Sequence, residues 1–241
     1  MRGVFRRRLF FALVVLALPA GLGAGDMVEP AAAETAFTGS FTWSFRGTLM
    51  IFPEENGPAS GAPMPLLSVP GAALAYRFRE SCEAEFSLDL YLTRYGYDWK
   101  LDRPVPVELE NRSAFVLGAL AGVRLGVYVP LGSRGILRIY AGPAADLRLV
   151  LLAADLNESD LIPNDPSGAP MQTSAVRNYF WAGGRWFLPF AGAGFDIPVN
   201  DDLLVGIDFR VWFPVYRCWT GEDLPPLEGW RFGPAFKITL R

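Results

Sequence analysis

The chain has 241 residues, room for one large domain or two small ones; half are hydrophobic, 14% aromatic and 20% charged. A net charge of −3 leaves no basic footprint for nucleic acid, and two cysteines are too few for a disulfide scaffold or a Cys-rich metal site. The absence of His removes the commonest general acid–base and metal-ligating side chain, so an enzyme is disfavoured and no cofactor or metal is expected.

The N-terminus reads as an export signal. Arg2, Arg6, Arg7 and Arg8 form a positive n-region, Leu9 to Leu18 an apolar stretch, and Pro19 and Gly21 break it before small residues. Cleavage is expected after Ala24, with Ala33 as the alternative, and residues 25–36 form a periplasmic tail. No later stretch reaches eighteen consecutive apolar residues, which argues against transmembrane helices in the mature chain.

From residue 37 onward the pattern is period-two alternation, the mark of a strand with unlike faces. In "FTWSFRGTLMIF", Phe41, Trp43, Phe45, Leu49 and Ile51 share one parity, and Thr42, Ser44, Arg46 and Thr48 the other. Next come Leu74, Tyr76 and Phe78 (strand starting at Ala73), then Ala84, Phe86, Leu88, Leu90 and Leu92, opposite Glu83, Glu85, Ser87, Asp89 and Tyr91. A fourth segment places Phe115, Leu117, Val123, Leu125 and Val127 outward, and a fifth runs Leu137, Ile139, Ala141, Pro143, Ala145, Leu147 and Leu149 opposite Arg138, Tyr140, Asp146 and Arg148. The last three carry Phe187 to Ile197, Leu203 to Val215 and Trp230 to Leu240 on the apolar parity. Strand prolines such as Pro143, Pro189 and Pro234 lack a ladder donor and are expected at bulges.

That makes eight strands, joined alternately by short turns (79–83, 130–134, 198–202) and longer connections (53–67, 100–111, 151–182, 217–228). An exported soluble sandwich hides its apolar faces between two sheets, and is expected to carry fewer strands of this length and fewer Gly and Ala on its polar face. Here the polar parity is rich in Gly, Ala, Ser and Thr, as the narrow interior of a closed eight-strand barrel requires. The sequence therefore predicts an all-β fold, an eight-stranded antiparallel transmembrane β-barrel over 37–241, with termini and short turns periplasmic and long loops extracellular.

Inward positions sort by distance from the short turns. Arg46, Arg77, Glu85, Asp89, Arg124, Arg138, Asp208, Arg210 and Lys237 are expected to form a mixed-charge lumen network, because unpaired buried charge is costly. Above it, Met50, Val116, Leu120, Trp186, Leu188, Phe190, Trp212 and Tyr216 would form an apolar cup, either a pocket for a small hydrophobic molecule or simple packing beneath the loops. The small inward Gly206 is expected to accept Ser. Cys82 and Cys218, at opposite ends of the barrel, are expected to form no bridge. The polar, turn-rich stretch 151–182 reads as an exposed loop, a flexible connection or a surface for an extracellular ligand.

The eight alternating segments and the closing "GPAFKITL" resemble the small bacterial outer-membrane barrels, the group that includes the OmpA membrane domain, OmpX and OmpW. The resemblance implies an outer-membrane lipid environment. It also implies recognition by barrel assembly machinery through Gly233, Phe236, Ile238 and Leu240, although that family pattern usually ends in an aromatic and this chain ends Leu240-Arg241. Length and lumen fit the OmpW type best, which implies a narrow passage that admits small hydrophobic molecules and releases them sideways through the wall. The alternative is a closed structural barrel that acts through its extracellular loops in adhesion or host contact.

Overall fold

The structure, a computed structural model, describes residues 39–52, 66–96, 113–131, 135–151, 157, 159–161, 168–221 and 229–240. The expected export signal and tail, and much of the long connections, lie outside the described residues. Nine strand segments follow in order: β1 (Ser40–Ile51), β2 (Leu66–Arg79), β3 (Cys82–Gly96), β4 (Ser113–Pro130), β5 (Ile136–Gly142), β6 (Ala144–Leu151), β7 (Phe190–Pro198), β8 (Leu203–Trp212) and β9 (Arg231–Leu240).

All pairings are antiparallel, and β9 returns to β1 from Trp43↔Leu240 to Ile51↔Phe232, so the sheet closes on itself. The 18-residue β4 pairs with β6 through Phe115–Gly122 and with β5 through Leu125–Pro130. β5 and β6 are thus two halves of one stave, interrupted at Pro143, and the barrel has eight staves. Pro143 has no N–H for the ladder, and its carbonyl accepts the Val123 N–H at 3.0 Å across the break. Gly142 permits that approach, since a Cβ there would stand 1.9 Å from the Val123 carbonyl oxygen.

Closure assigns the two parities their solvents. Phe41, Trp43, Phe45, Leu49, Phe86, Leu92, Leu125, Ile139, Ile207 and Phe236 all point outward and are exposed, up to 65% for Ile207. Among the described residues no second sheet covers them, so this apolar belt is a lipid-facing surface. The other parity is buried, and it includes Arg46, Glu85, Arg124, Arg138 and Arg210. The first strand's Phe, Trp and Ile therefore face lipid, and its Arg faces the lumen.

Three expectations are corrected. β2 starts at Leu66 rather than Ala73, because pairing with β1 from Ile51↔Leu66 carries the strand through Val69-Pro70-Gly71, which reads locally as a turn. β8 ends at Trp212 rather than Val215; the Phe213 N–H turns to the Pro189 carbonyl, and a short helix, α2 (Arg217–Thr220), follows. The stretch 151–182 contains helix α1 (Thr173–Trp181) and runs into a 3-10 turn, Ala182–Gly184. Val176 and Phe180, four residues apart and both buried, anchor that helix, and the turn-forming residues upstream obscured it.

Candidate functional site

The lower lumen, nearer the short turns, is filled by ionic side chains from seven of the eight staves; β2 contributes only small residues, Ala73 and Ala75. Arg46 on β1 donates from Nε to Asp89 Oδ1 at 2.8 Å, from Nη2 to Asp89 Oδ2 at 3.1 Å and from Nη1 to Glu85 Oε1 at 3.1 Å. Arg210 on β8 reaches the same Asp89 at 2.8 Å and the Thr48 hydroxyl at 2.5 Å. Arg124 bonds Glu85 and, at 3.4 Å, Glu83, while Tyr128 donates to the other Glu83 oxygen. Arg138 lies 2.8 Å from Asp196 and 3.3 Å from Asp208, and Lys237 Nζ lies 3.9 Å from Glu85.

Five buried cations (Arg46, Arg124, Arg138, Arg210, Lys237) thus meet five buried carboxylates (Glu83, Glu85, Asp89, Asp196, Asp208). Balance is what a low-dielectric interior requires. Of the nine residues expected in this network, Arg77 stands apart: it is half-buried and stacks on the Tyr128 ring at 4.4 Å, near the short-turn rim. Aromatic rings roof the floor. Tyr140 covers Arg124 at 3.7 Å, Trp212 covers Arg210 at 4.7 Å, and Phe190 lies against both rings.

Above that roof the lumen is apolar. Met50, Leu120, Leu188, Phe190, Trp212 and Tyr216 belong to one buried cluster that also takes in Phe52, Leu67, Val69, Tyr91 and Tyr140, and Val116 is buried as well. Trp186 is a correction: it is 39% exposed and lies outside the cup. Counting parity back from β7 assumed a continuous strand. Instead the chain turns at Gly183 and Gly184 (φ of 59° and 73°) and is not yet extended at Arg185 (φ −61°, ψ −17°), so Trp186 sits in the turn and β7 begins only at Phe190. Gly233 faces the lumen, where a Cβ would stand 2.8 Å from the Trp212 ring.

Sequence reasoning missed the polar cluster inside this apolar half. Asp146 on β6 accepts from Tyr91 on β3 at 2.6 Å, from Arg148 Nε at 2.6 Å and from Arg231 on β9 at 2.5 Å. Each of these residues has inward parity in the sequence. What no local pattern reveals is that staves distant along the chain bring them to one carboxylate.

The wall is irregular beside them. β7 starts opposite Gly142, at the end of β5, so among the described residues no strand runs along β6 on its β7 side. The segment before β7 is tied there by Asp146 N–H to the Trp186 carbonyl at 2.7 Å and Leu188 N–H to the Ala144 carbonyl at 2.9 Å. α1 packs on β6 in the strand's place. The Arg148 guanidinium lies 4.3 Å above the ring of the buried Phe180, while the next residue, Trp181, reaches the lipid-facing groove of Leu90, Leu117, Ala119, Leu147 and Leu149. Arg185 stacks on Tyr179 at 4.1 Å and donates to the Tyr179 and Ala182 carbonyls, and the Trp219 indole donates to Gly183 at 2.6 Å.

No protein-family model and no curated protein matches this chain. Solved barrels align with it at low identity. OprG, an outer-membrane protein of Pseudomonas aeruginosa, is 11% identical with a TM-score of 0.49, over 83% of this chain and 95% of its own. Neisserial surface protein A is 9% identical with a TM-score of 0.46, over 85% and 99%. The N-terminal β-barrel domain of Pseudomonas aeruginosa OprF is 9% identical with a TM-score of 0.41, over 84% and 98%. The barrel assignment for this chain rests on its own closed strand pairing.

Proposed function

We propose that this chain is a bacterial outer-membrane barrel of the OmpW type, a narrow passage that takes small hydrophobic molecules from its long-loop side and releases them sideways into the membrane. One observation carries the reading: on its β7 side, among the described residues, the stave formed by β5 and β6 has a strand neighbour along its lower half and a helix where that neighbour would continue. A helix held by side-chain packing parts from a strand more readily than a laddered neighbour does, because fewer backbone hydrogen bonds must break. The floor argues for a sideways exit. Passage to the short-turn side would have to separate a whole floor of buried ion pairs, each strongly destabilising to break, whereas the cup above is apolar apart from the Asp146 cluster. On this reading the termini and short turns are periplasmic, and β9, with Phe236, Ile238 and Leu240 outward, presents the signal to barrel assembly machinery.

The test is uptake of a small hydrocarbon by lipid vesicles carrying the wild type, Leu188→Asn or no protein. Leu188 is 1% exposed, so the amide is buried among apolar partners, costing about 1–3 kcal/mol if unsatisfied, and uptake is expected to slow. Equal uptake by wild-type and empty vesicles removes the passage. The tightly buried cup then serves as packing, and the barrel acts through its extracellular loops.

A further inference from the structure

We infer that Asp146 is a latch that holds α1 in the wall and so keeps the gap beside β6 shut. The inference builds on the sideways exit proposed above and names the device that controls it. The chain of contacts is continuous. Tyr91 on β3 and Arg231 on β9 fix the Asp146 carboxylate from across the lumen, at 2.6 and 2.5 Å. The same carboxylate holds Arg148, through both Nε and Nη2 at 2.6 Å. Arg148 in turn presents its guanidinium face to Phe180, the buried anchor of α1, at 4.3 Å.

Each link is needed for the next. Arg148 is a long side chain with many rotamers, and stacking on Phe180 requires its plane to be held. Two contacts from one carboxylate fix that plane, as a fork-like guanidinium allows. The backbone ties between 144–146 and 186–188 bind only the far end of the segment, so α1 itself depends on side-chain packing. A buried carboxylate among apolar residues is also an expensive choice for mere packing, since a well-packed apolar side chain there is commonly as stable or more so. A carboxylate that joins three staves to a helix has a reason to be there. Asp146 acts through Arg148 and is a positioning residue, not one that touches solute.

The experiment is hydrogen–deuterium exchange on the full chain in lipid vesicles, comparing wild type, Asp146→Asn and Phe180→Ala. Asparagine leaves Tyr91 an acceptor but removes the charge that holds Arg148. Amides of 173–181 are expected to exchange about tenfold faster in Asp146→Asn, with β1, β8 and β9 unchanged, because a locally released element opens without global unfolding. Phe180→Ala cuts the last link while sparing the ion cluster and is expected to release the same amides. Exchange that rises equally in the helix and all strands, or stays unchanged at 173–181 in either variant, overturns the latch. If Asp146→Asn fails to fold, Phe180→Ala alone decides. Exchange reads the helix directly, so this failure is distinct from that of the passage: selective release of α1 with no hydrocarbon uptake keeps the latch and removes the transport role.

Discussion

Asp89→Asn should be among the most damaging single-atom changes available in this barrel. Asp89 is 1% exposed on β3 and serves two guanidiniums, Arg46 on β1 in a two-pronged contact at 2.8 and 3.1 Å and Arg210 on β8 at 2.8 Å. Asparagine has nearly the same shape, so no cavity forms, and the loss is electrostatic. One of its two oxygens becomes an NH2 that faces a cation's N–H donors. Arg46 keeps Glu85 at 3.1 Å and Arg210 keeps the Thr48 hydroxyl, which limits the damage. Breaking one buried pair costs about 3–5 kcal/mol, and with two pairs sharing this carboxylate the upper part of that range is expected. That is a large share of a total stability of about 5–15 kcal/mol. Urea unfolding in lipid vesicles, followed by tryptophan fluorescence and heat-modified gel mobility, measures it. Adding Arg210→Met should recover part of the loss, because it removes one of the orphaned cations. A loss under about 1 kcal/mol would mean that water screens the floor as it screens surface pairs, and the account of a dry, balanced network would be wrong.

Two glycines should respond oppositely to one added carbon. At Gly47, on the lipid face, a Cβ meets nothing within 4 Å, so Gly47→Ala should be neutral or stabilise by about 0.5–1 kcal/mol through lost chain entropy. At Gly206 a Cβ would stand 2.1 Å from Asp196 Oδ1 and 2.5 Å from the Phe195 carbonyl, so Gly206→Ser should cost about 1–3 kcal/mol rather than pass unnoticed, as its size alone suggests; the same vesicle unfolding assay separates them. Phe209, 47% exposed and outward, should cost about 2–4 kcal/mol when replaced by Arg if it lies near the bilayer midplane, and an unchanged unfolding midpoint would remove lipid from that face. Cys82, at the start of β3, and Cys218, in α2, are free thiols at opposite ends of the barrel. Mass mapping without reductant should find them unlinked, since a bridge needs Cα atoms within about 7 Å.

The sequence by itself determined which side of the wall almost every strand residue occupies. Phe41 and Arg46, Leu88 and Asp89, Phe209 and Arg210 are separated by parity alone, and parity is a local property of an extended backbone. The alternation of short and long connections likewise implied the up-and-down order of the staves. Parity failed where the backbone ceased to be extended: the chain is in a turn at Arg185 and Trp186, ahead of β7, and Trp186 leaves the cup. Tertiary structure alone decided who meets whom across the lumen. Asp146, Arg231 and Tyr91 converge from β6, β9 and β3 because closure and strand stagger fix relative heights, and those depend on every pairing register at once. It also decided that Gly206 is crowded while Gly47 is free, because room at an inward position depends on the neighbours facing it and room at an outward one is shared with the lipid. The helix beside β6 is of the same kind, since what flanks a strand among the described residues is a property of the closed sheet and not of the strand.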